Sequence, residues 1–231
     1  MYESPVRRYI VPGAIVIAGI VIALGVYLLR APLHLDWFGA DDTAQAIFRA
    51  PSLADHTLGN PAAPVRVVEY CDMDTPYCKQ FEGVMEAVVA AYGPSGQVSW
   101  TYRHFPNQEA HATASRDAQA AECAAAEGGP RAFFGFLDAW SAATTTDAST
   151  YAAVANALSL PADDFQTCIG SGTFADEVQA SYNEAVAAGA DGAPYTVISI
   201  TGKEPFVISG ALPFDGMNAV IKQSLAQVNA K

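Results

Sequence analysis

The sequence predicts an α/β fold: a strand–helix–strand unit, a helical block, then two strands and a closing helix, all behind one N-terminal transmembrane segment. Three observations carry this. The β-branched run Val65-Arg66-Val67-Val68 leads into a helical apolar pattern through Val84, Val88 and Ala91, and then into an alternating segment from Val98 to Pro106. From about residue 110 to 190 the chain turns alanine-rich and helical. Tyr9 to Leu29 carries no charged residue, and about 20 such residues cross a bilayer.

A chain of 231 residues holds one domain with a real core plus an anchor. With 51% hydrophobic and 16% charged residues, disorder is excluded over most of it. The net charge of −12 excludes nucleic acid as a partner, since binding there needs basic patches. Arg7 and Arg8 precede the apolar span and Arg30 follows it. That balance favours a cytoplasmic N-terminus and a domain on the far side, in the periplasm or at the cell surface. The expected organisation is a cytoplasmic tail over 1–8, an anchor over 9–30, a linker over 31–54 and a globular domain over 55–231. A cleaved signal peptide fits less well, because the apolar run is long and Leu29-Arg30-Ala31 is a poor cleavage site. An extracytoplasmic compartment permits disulfides, and Cys71, Cys78, Cys123 and Cys168 allow three full pairings.

Ala31 to Leu58 reads as connecting chain, with a short helix over Asp41–Arg49 and with His34 and His56 solvated. Gly59-Asn60-Pro61-Ala62-Ala63-Pro64 is a turn cluster that launches the first strand. Tyr92-Gly93-Pro94 stops the helix that follows. In the helical block, segments open at Ser115 or Asp117, at Arg131, at Tyr151, at Pro161 and at Phe174; Phe133, Phe134, Phe136, Leu137 and Trp140 form a wide apolar face. Tyr195 to Ile200 is a strand, Thr201-Gly202-Lys203-Glu204 a hairpin turn, and Pro205 to Gly210 an edge strand, since Pro205 cannot donate to a ladder. Met217 to Val228 closes the chain as an amphipathic helix.

The chemistry gathers where the first strand ends. Thr75 suits an N-cap and Pro76 the first helical position, where its missing N–H costs nothing. Cys78 then falls in the first helical turn, where the positive end of the dipole favours thiolate. Strand, Asp-x-x, then x-Pro76-Tyr77-Cys78-Lys79-x-Phe81 resembles the active-site segment of the DsbA-like thioredoxin-fold thiol:disulfide interchange proteins. His56-x-x-Gly59-Asn60-Pro61 with Ala63-Pro64-Val65 is similar to that family's lead-in, and Tyr102-Arg103-His104-Phe105-Pro106 to its second strand and exit. The resemblance covers about Asp55 to Val228. It implies a thioredoxin fold with an inserted helical subdomain. It also implies thiol–disulfide chemistry on exported proteins, with a membrane redox partner and no cofactor or metal.

The family has Cys-Pro-x-Cys where this chain has Thr75-Pro76-Tyr77-Cys78, so the nucleophile's position holds a threonine. By resemblance, Cys78 corresponds to the resolving cysteine, Glu69 to an acid beneath the active site, and Ala193-Pro194 to a cis-proline element that pairs with extended substrate backbone. Pro76 and Tyr77 would border the substrate. From its residues, Cys78 is either a single reactive thiol or a buried apolar relic. Glu69 is either a buried acid with a raised pKa or a strand-end carboxylate reaching water. Thr75 preserves the helix start, but a threonine hydroxyl is a poor nucleophile without a base. Cys71 could replace the missing partner. However, a bridge needs Cα atoms within about 7 Å, and the loop between strand and helix is expected to hold Cys71 farther from Cys78 than that. Cys123 and Cys168, on separate helices, are expected to form a structural disulfide worth on the order of 3–4 kcal/mol; their spacings fit no zinc pattern. Asp72 and Asp74 shape the turn, and His104 and His111 are structural or solvated. Two functions follow: a thiol–disulfide oxidoreductase, or a redox-inactive module that binds extended peptides beside Pro194. A glutathione-linked transferase is a third, since some members of the wider superfamily carry a hydroxyl residue at the first position.

Overall fold

The computed structural model describes residues 48–143, 145 and 147–229. The expected anchor, the residues before it and most of the expected linker lie outside the described residues. Among the described residues no helix is long and apolar enough to cross a membrane.

A five-stranded mixed sheet forms the centre. Its strands are β1 (His56–Gly59), β2 (Val65–Cys71), β3 (Val98–His104), β4 (Tyr195–Ile200) and β5 (Phe206–Ser209), in the spatial order β1-β3-β2-β4-β5. Only β2 and β3 run parallel. The helix α1 (Pro76–Tyr92) connects them, because parallel strands need a crossover. The helical block comprises α2 (Ala114–Gly128), α3 (Pro130–Ala142), α4 (Ala148–Ala157), α5 (Ala162–Ser171) and α6 (Ala175–Ala187); α7 (Phe214–Asn229) ends the domain.

The period of two along β2 divides its side chains between two apolar clusters. Val65, Val67 and Cys71 join Trp100, Ile198 and Ile200 beneath Phe81, Met85 and Val88 of α1, Met217 and Ile221 of α7, and the aromatic face of α3. Val68 and Tyr70 join Tyr195 and Val197 against Ala185 of α6. Glu69 lies between Val67 and Cys71 in this alternation, so the backbone directs it to the large core and not to water.

One strand departs from the sequence reading. His56–Gly59 pairs antiparallel with Ser99–Tyr102 as an edge strand, where connecting chain was expected. Its four residues carry too little apolar alternation to read as a strand, and pairing with β3 supplies what local propensity lacks. Gly59 has φ +88°, and a Cβ there would meet the Val98 carbonyl at 2.6 Å. His56 is consequently not solvated: it stacks on Phe133 with ring centroids 3.7 Å apart, and its Nε2 lies 2.7 Å from Glu122. His104 meets the other oxygen of the same carboxylate at 2.9 Å. Burial pushes Glu122 up, but these two histidines outweigh it and bring the group down to about 2.

Beside them, Arg103 donates to Asp55, to the Arg49 carbonyl, to the Tyr70 hydroxyl and to Glu184, which ties the segment before β1 to β3 and α6. Cys123 of α2 and Cys168 of α5 are joined by a disulfide with Cα atoms 5.8 Å apart, across 45 residues.

Candidate active site

The site lies where β2 ends and α1 begins. Asp72 folds the loop: its Oδ1 accepts the Asp74 amide at 3.0 Å, and its backbone carbonyl accepts the Thr75 amide at 2.9 Å. Its Oδ2 accepts the Asn107 amide at 2.9 Å and meets His111 Nδ1 at 2.8 Å, which pins the turn to the segment leaving β3. Asp74 Oδ1 accepts the Trp140 indole N–H at 2.9 Å, which anchors the same loop to α3. The helix then starts at once, and the Thr75 carbonyl accepts the amides of Cys78 and Lys79.

This tight return corrects the expectation about Cys71. Instead of spanning a gap, the loop lays the first turn of α1 over the strand end. The Cys71 and Cys78 Cα atoms are 5.9 Å apart and their sulfurs are bonded at 2.05 Å. Neither a lone Cys78 thiol nor a free strand cysteine is present. Both residues are buried, at 1% and 0% exposure. Thr75 is also corrected in detail: it holds the N-cap position, but its side chain makes no capping hydrogen bond. It borders a groove instead.

Glu69 adjoins the disulfide from below. One of its oxygens and the two sulfurs lie within 4.8 Å of one another. The Trp100 indole N–H donates to Oε2 at 2.8 Å, while Oε1 is buried without a partner among the described residues. Burial, reinforced by the charge of Glu82, pushes the carboxyl well above its ordinary range against the Trp100 bond, so the protonated form is favoured. Of the two readings of Glu69, the buried acid is the one the structure supports.

Glu82 was not singled out from the sequence, although it lies one helical turn beyond Cys78 on the face that carries Phe81, Met85 and Val88. It is buried, accepts the Ser141 hydroxyl at 2.7 Å, and is pushed up to about 8 chiefly by burial. Asp117, on α2, is pushed up to about 7 by burial and by Asp74, against a hydrogen bond from Tyr151. Two of these acids, Asp74 and Asp117, are thus held by aromatic N–H and O–H donors from the helical block.

The groove beside the loop encloses about 480 Å³ and is lined by Thr75, Phe105, Gln179, Tyr182, Gly192 and Ala193, among others. Of the residues expected to contact substrate, Ala193 lines it directly. The Ala193–Pro194 peptide bond is cis, and Pro194 is buried behind Ala193. Pro76 is exposed, and Tyr77, at 65% exposure, projects into solvent at the helix start.

Residues 52–223 match a family model described as thioredoxin. Among solved structures, the chain is similar to Wolbachia pipientis alpha-DsbA1 (TM-score 0.69, 19% identity, 78% of this chain and 95% of that one). It is also similar to oxidised BdbD from Bacillus subtilis (TM-score 0.66, 19% identity, 79% and 99%) and to Pseudomonas aeruginosa DsbA2 (0.62, 22%, 75% and 96%). Among curated proteins, a 74-residue segment is 39% identical to a Na(+)/H(+) antiporter, NhaA 1, of Mycolicibacterium gilvum, and a segment of the same length is 40% identical to NhaA 3 of Salinispora tropica. Those matches cover 32% of this chain but only 12% and 11% of the antiporters. With the family model spanning most of the chain, the protein belongs to the thioredoxin family, and its fold, with the helical insertion, is similar to that of the DsbA structures above.

Proposed function

We propose that the protein is a thiol–disulfide oxidoreductase whose working pair is Cys71–Cys78, displaced from the family's Cys-x-x-Cys positions, and that it acts on exported proteins from an anchored position outside the cytoplasm. The observation that carries this reading is the disulfide set against a buried, partner-poor carboxyl at the N-terminus of α1. In disulfide exchange a substrate thiolate attacks one sulfur and the other departs as thiolate. Cys78, in the first helical turn, is the better leaving group because the helix dipole favours its charge. The substrate sulfur then bonds to Cys71, and Glu69 is placed to give the departing sulfur a proton. A second substrate thiolate attacks the substrate sulfur of the mixed disulfide, which releases oxidised substrate and leaves the reduced pair. Both sulfurs are buried, so this chemistry requires the Asp72–Thr75 turn to move. The groove with Ala193 supplies a surface for extended substrate backbone. The uncharged Tyr9–Leu29 run and its arginine flanks support the anchored, extracytoplasmic placement, and a membrane redox partner would reoxidise the pair.

The test is a disulfide map of the full-length chain equilibrated in redox buffers of graded potential, by alkylation, digestion and mass spectrometry. A Cys71–Cys78 link that opens and closes with the buffer while Cys123–Cys168 stays closed is the expected result. A Cys71–Cys78 link that stays closed at every potential that leaves the fold intact would remove the redox reading.

The burial of both sulfurs together with Thr75 at the groove edge favours a second reading, a redox-inactive module that holds peptides in the groove. A Thr75→Cys variant separates the two. If it reduces insulin where the parent chain cannot, the scaffold is intact and lacks only an exposed nucleophile, as the binding-module reading expects.

A further inference from the structure

We propose that the reduced form of the pair is a zinc site, with Cys71 Sγ, Cys78 Sγ and Glu69 Oε1 as ligands. The inference rests on the redox reading only in requiring that the disulfide can be opened while the protein stays folded.

Three observations converge. One Glu69 oxygen and the two sulfurs already lie within 4.8 Å of one another. Zinc bonds of about 2.3 Å to sulfur and 2.0 Å to oxygen set tetrahedral ligands roughly 3.5–3.8 Å apart. Once the 2.05 Å bond opens, the sulfurs must separate and the carboxyl close in, each by no more than about 2 Å to reach those spacings. The two Cα atoms, 5.9 Å apart, need not move for that. Second, Glu69 Oε1 is buried with no hydrogen-bond partner among the described residues, although Oε2 is held by Trp100. An unpaired buried oxygen is costly, and a cation bridging it to two thiolates removes the cost. Trp100 then does for the carboxylate what outer partners do for metal ligands, holding one oxygen and leaving the other free to bind. Third, the donor set is chemically selective. Two thiolates and one carboxylate form a mixed sulfur–oxygen set that suits a borderline cation such as Zn²⁺ and excludes hard cations such as Mg²⁺ or Ca²⁺. Among the described residues no further His, Cys, Asp or Glu completes the set, so the fourth position falls to water or an incoming thiol.

The chemistry balances without an oxidant. The two thiols, the Glu69 carboxyl and Zn²⁺ give the zinc complex and three released protons, one from each ligand. The disulfide form offers no thiolate and does not bind. Zinc therefore draws the pair toward its reduced state by mass action, in proportion to its concentration over its dissociation constant.

The full-length chain would be reduced with a phosphine, desalted without oxygen, and its thiols counted before titration with Zn²⁺ against a chromophoric chelator. The expected result is one zinc per reduced chain, none per oxidised chain, at least about a tenfold weaker affinity in Glu69→Gln, and loss of binding in Cys71→Ser. Thiols released but no zinc bound would overturn the site and leave the redox reading standing. If no thiols are released from Cys71 and Cys78 in the folded protein, both readings fall. Unchanged affinity in Glu69→Gln, or full binding in Cys71→Ser, would overturn the assigned ligands. Should a variant fail to fold by circular dichroism, Co²⁺ added to the reduced parent chain decides instead. A thiolate-to-cobalt charge-transfer band that disappears on oxidation with diamide supports the site, and its absence overturns it.

Discussion

The two disulfides of this domain differ in almost everything except their chemistry. Cys123–Cys168 closes a separation of 45 residues between two helices of the insertion, and Cys71–Cys78 closes one of 7 between a strand end and the helix that follows. In the loop-entropy model the first is worth about 4 kcal/mol and the second about 2 kcal/mol. Among the described residues, the Cys71–Cys78 pair alone has a carboxylate or imidazole ligand atom within 4.8 Å of both sulfurs. The long bridge therefore gives more stability, while the short one has a buried carboxyl beside its sulfurs, as the proposed exchange chemistry requires. A fold can separate these duties because a constraint on the unfolded chain depends on loop length, whereas reactivity depends on what surrounds the sulfurs.

The sharpest way to break the comparison is to remove one sulfur from each bridge. Cys78→Ser should abolish thiol–disulfide exchange with a dithiol model substrate, leaving only background, because a lone Cys71 has no disulfide to pass on. Retained turnover would move the redox role to the other pair. By contrast, the double variant Cys123→Ala/Cys168→Ala should keep exchange near the parent rate and lose about 4 kcal/mol of stability in denaturant titration. A loss of exchange in that folded variant would show that the helical insertion tunes the site through Trp140 and Asp74.

The contrast also marks what the sequence could and could not show. The frame was legible because strong local signals agreed. The β-branched run of β2, the Pro76 start of α1, the Gly93 stop and the aromatic face of α3 each point to one structure. Strand β1 was not legible, since His56-Thr57-Leu58-Gly59 becomes a strand only by pairing with β3. The Cys71–Cys78 bridge was missed because a loop's length was taken for its span. The signal was there in Asp72-x-Asp74-Thr75-Pro76: an aspartate that can bond the amide two residues on folds the chain back on itself. Glu69 could be flagged from the pattern, but its orphaned oxygen depends on Trp100, 31 residues away. Glu82 was within reach of helical spacing from Cys78 and was passed over because a glutamate on a helix is ordinarily solvated.

Glu82 gives the smallest and most specific prediction. Its folded pKa of about 8 lies above the ordinary 4.5. Between those values the folded state holds a proton that the unfolded chain has released, so stability falls as pH rises through that window. Glu86 and Asp117, each raised to about 7, act in the same direction. At the acid end the sign reverses. Burial pushes Asp55 up, but hydrogen bonds from Arg103 and Arg49 hold it far below the usual carboxylate range. Glu122 is also lowered, so both stabilise the fold above pH 4 and lose that contribution as pH falls further. Melting temperature against pH should therefore peak near pH 4–5 and decline toward 8. In Glu82→Gln the amide oxygen can still accept the Ser141 hydroxyl, while the titration is gone. Its melting temperature should match the parent's at the acid side of the peak and exceed it increasingly from pH 6 to 8, with the residual decline left by Glu86 and Asp117. Parallel curves would mean that Glu82 is ionised in the fold at neutral pH. Burial around α1 would then be less costly than its placement implies, and the acid-lined bridge would no longer be the side of the molecule that loses stability to base.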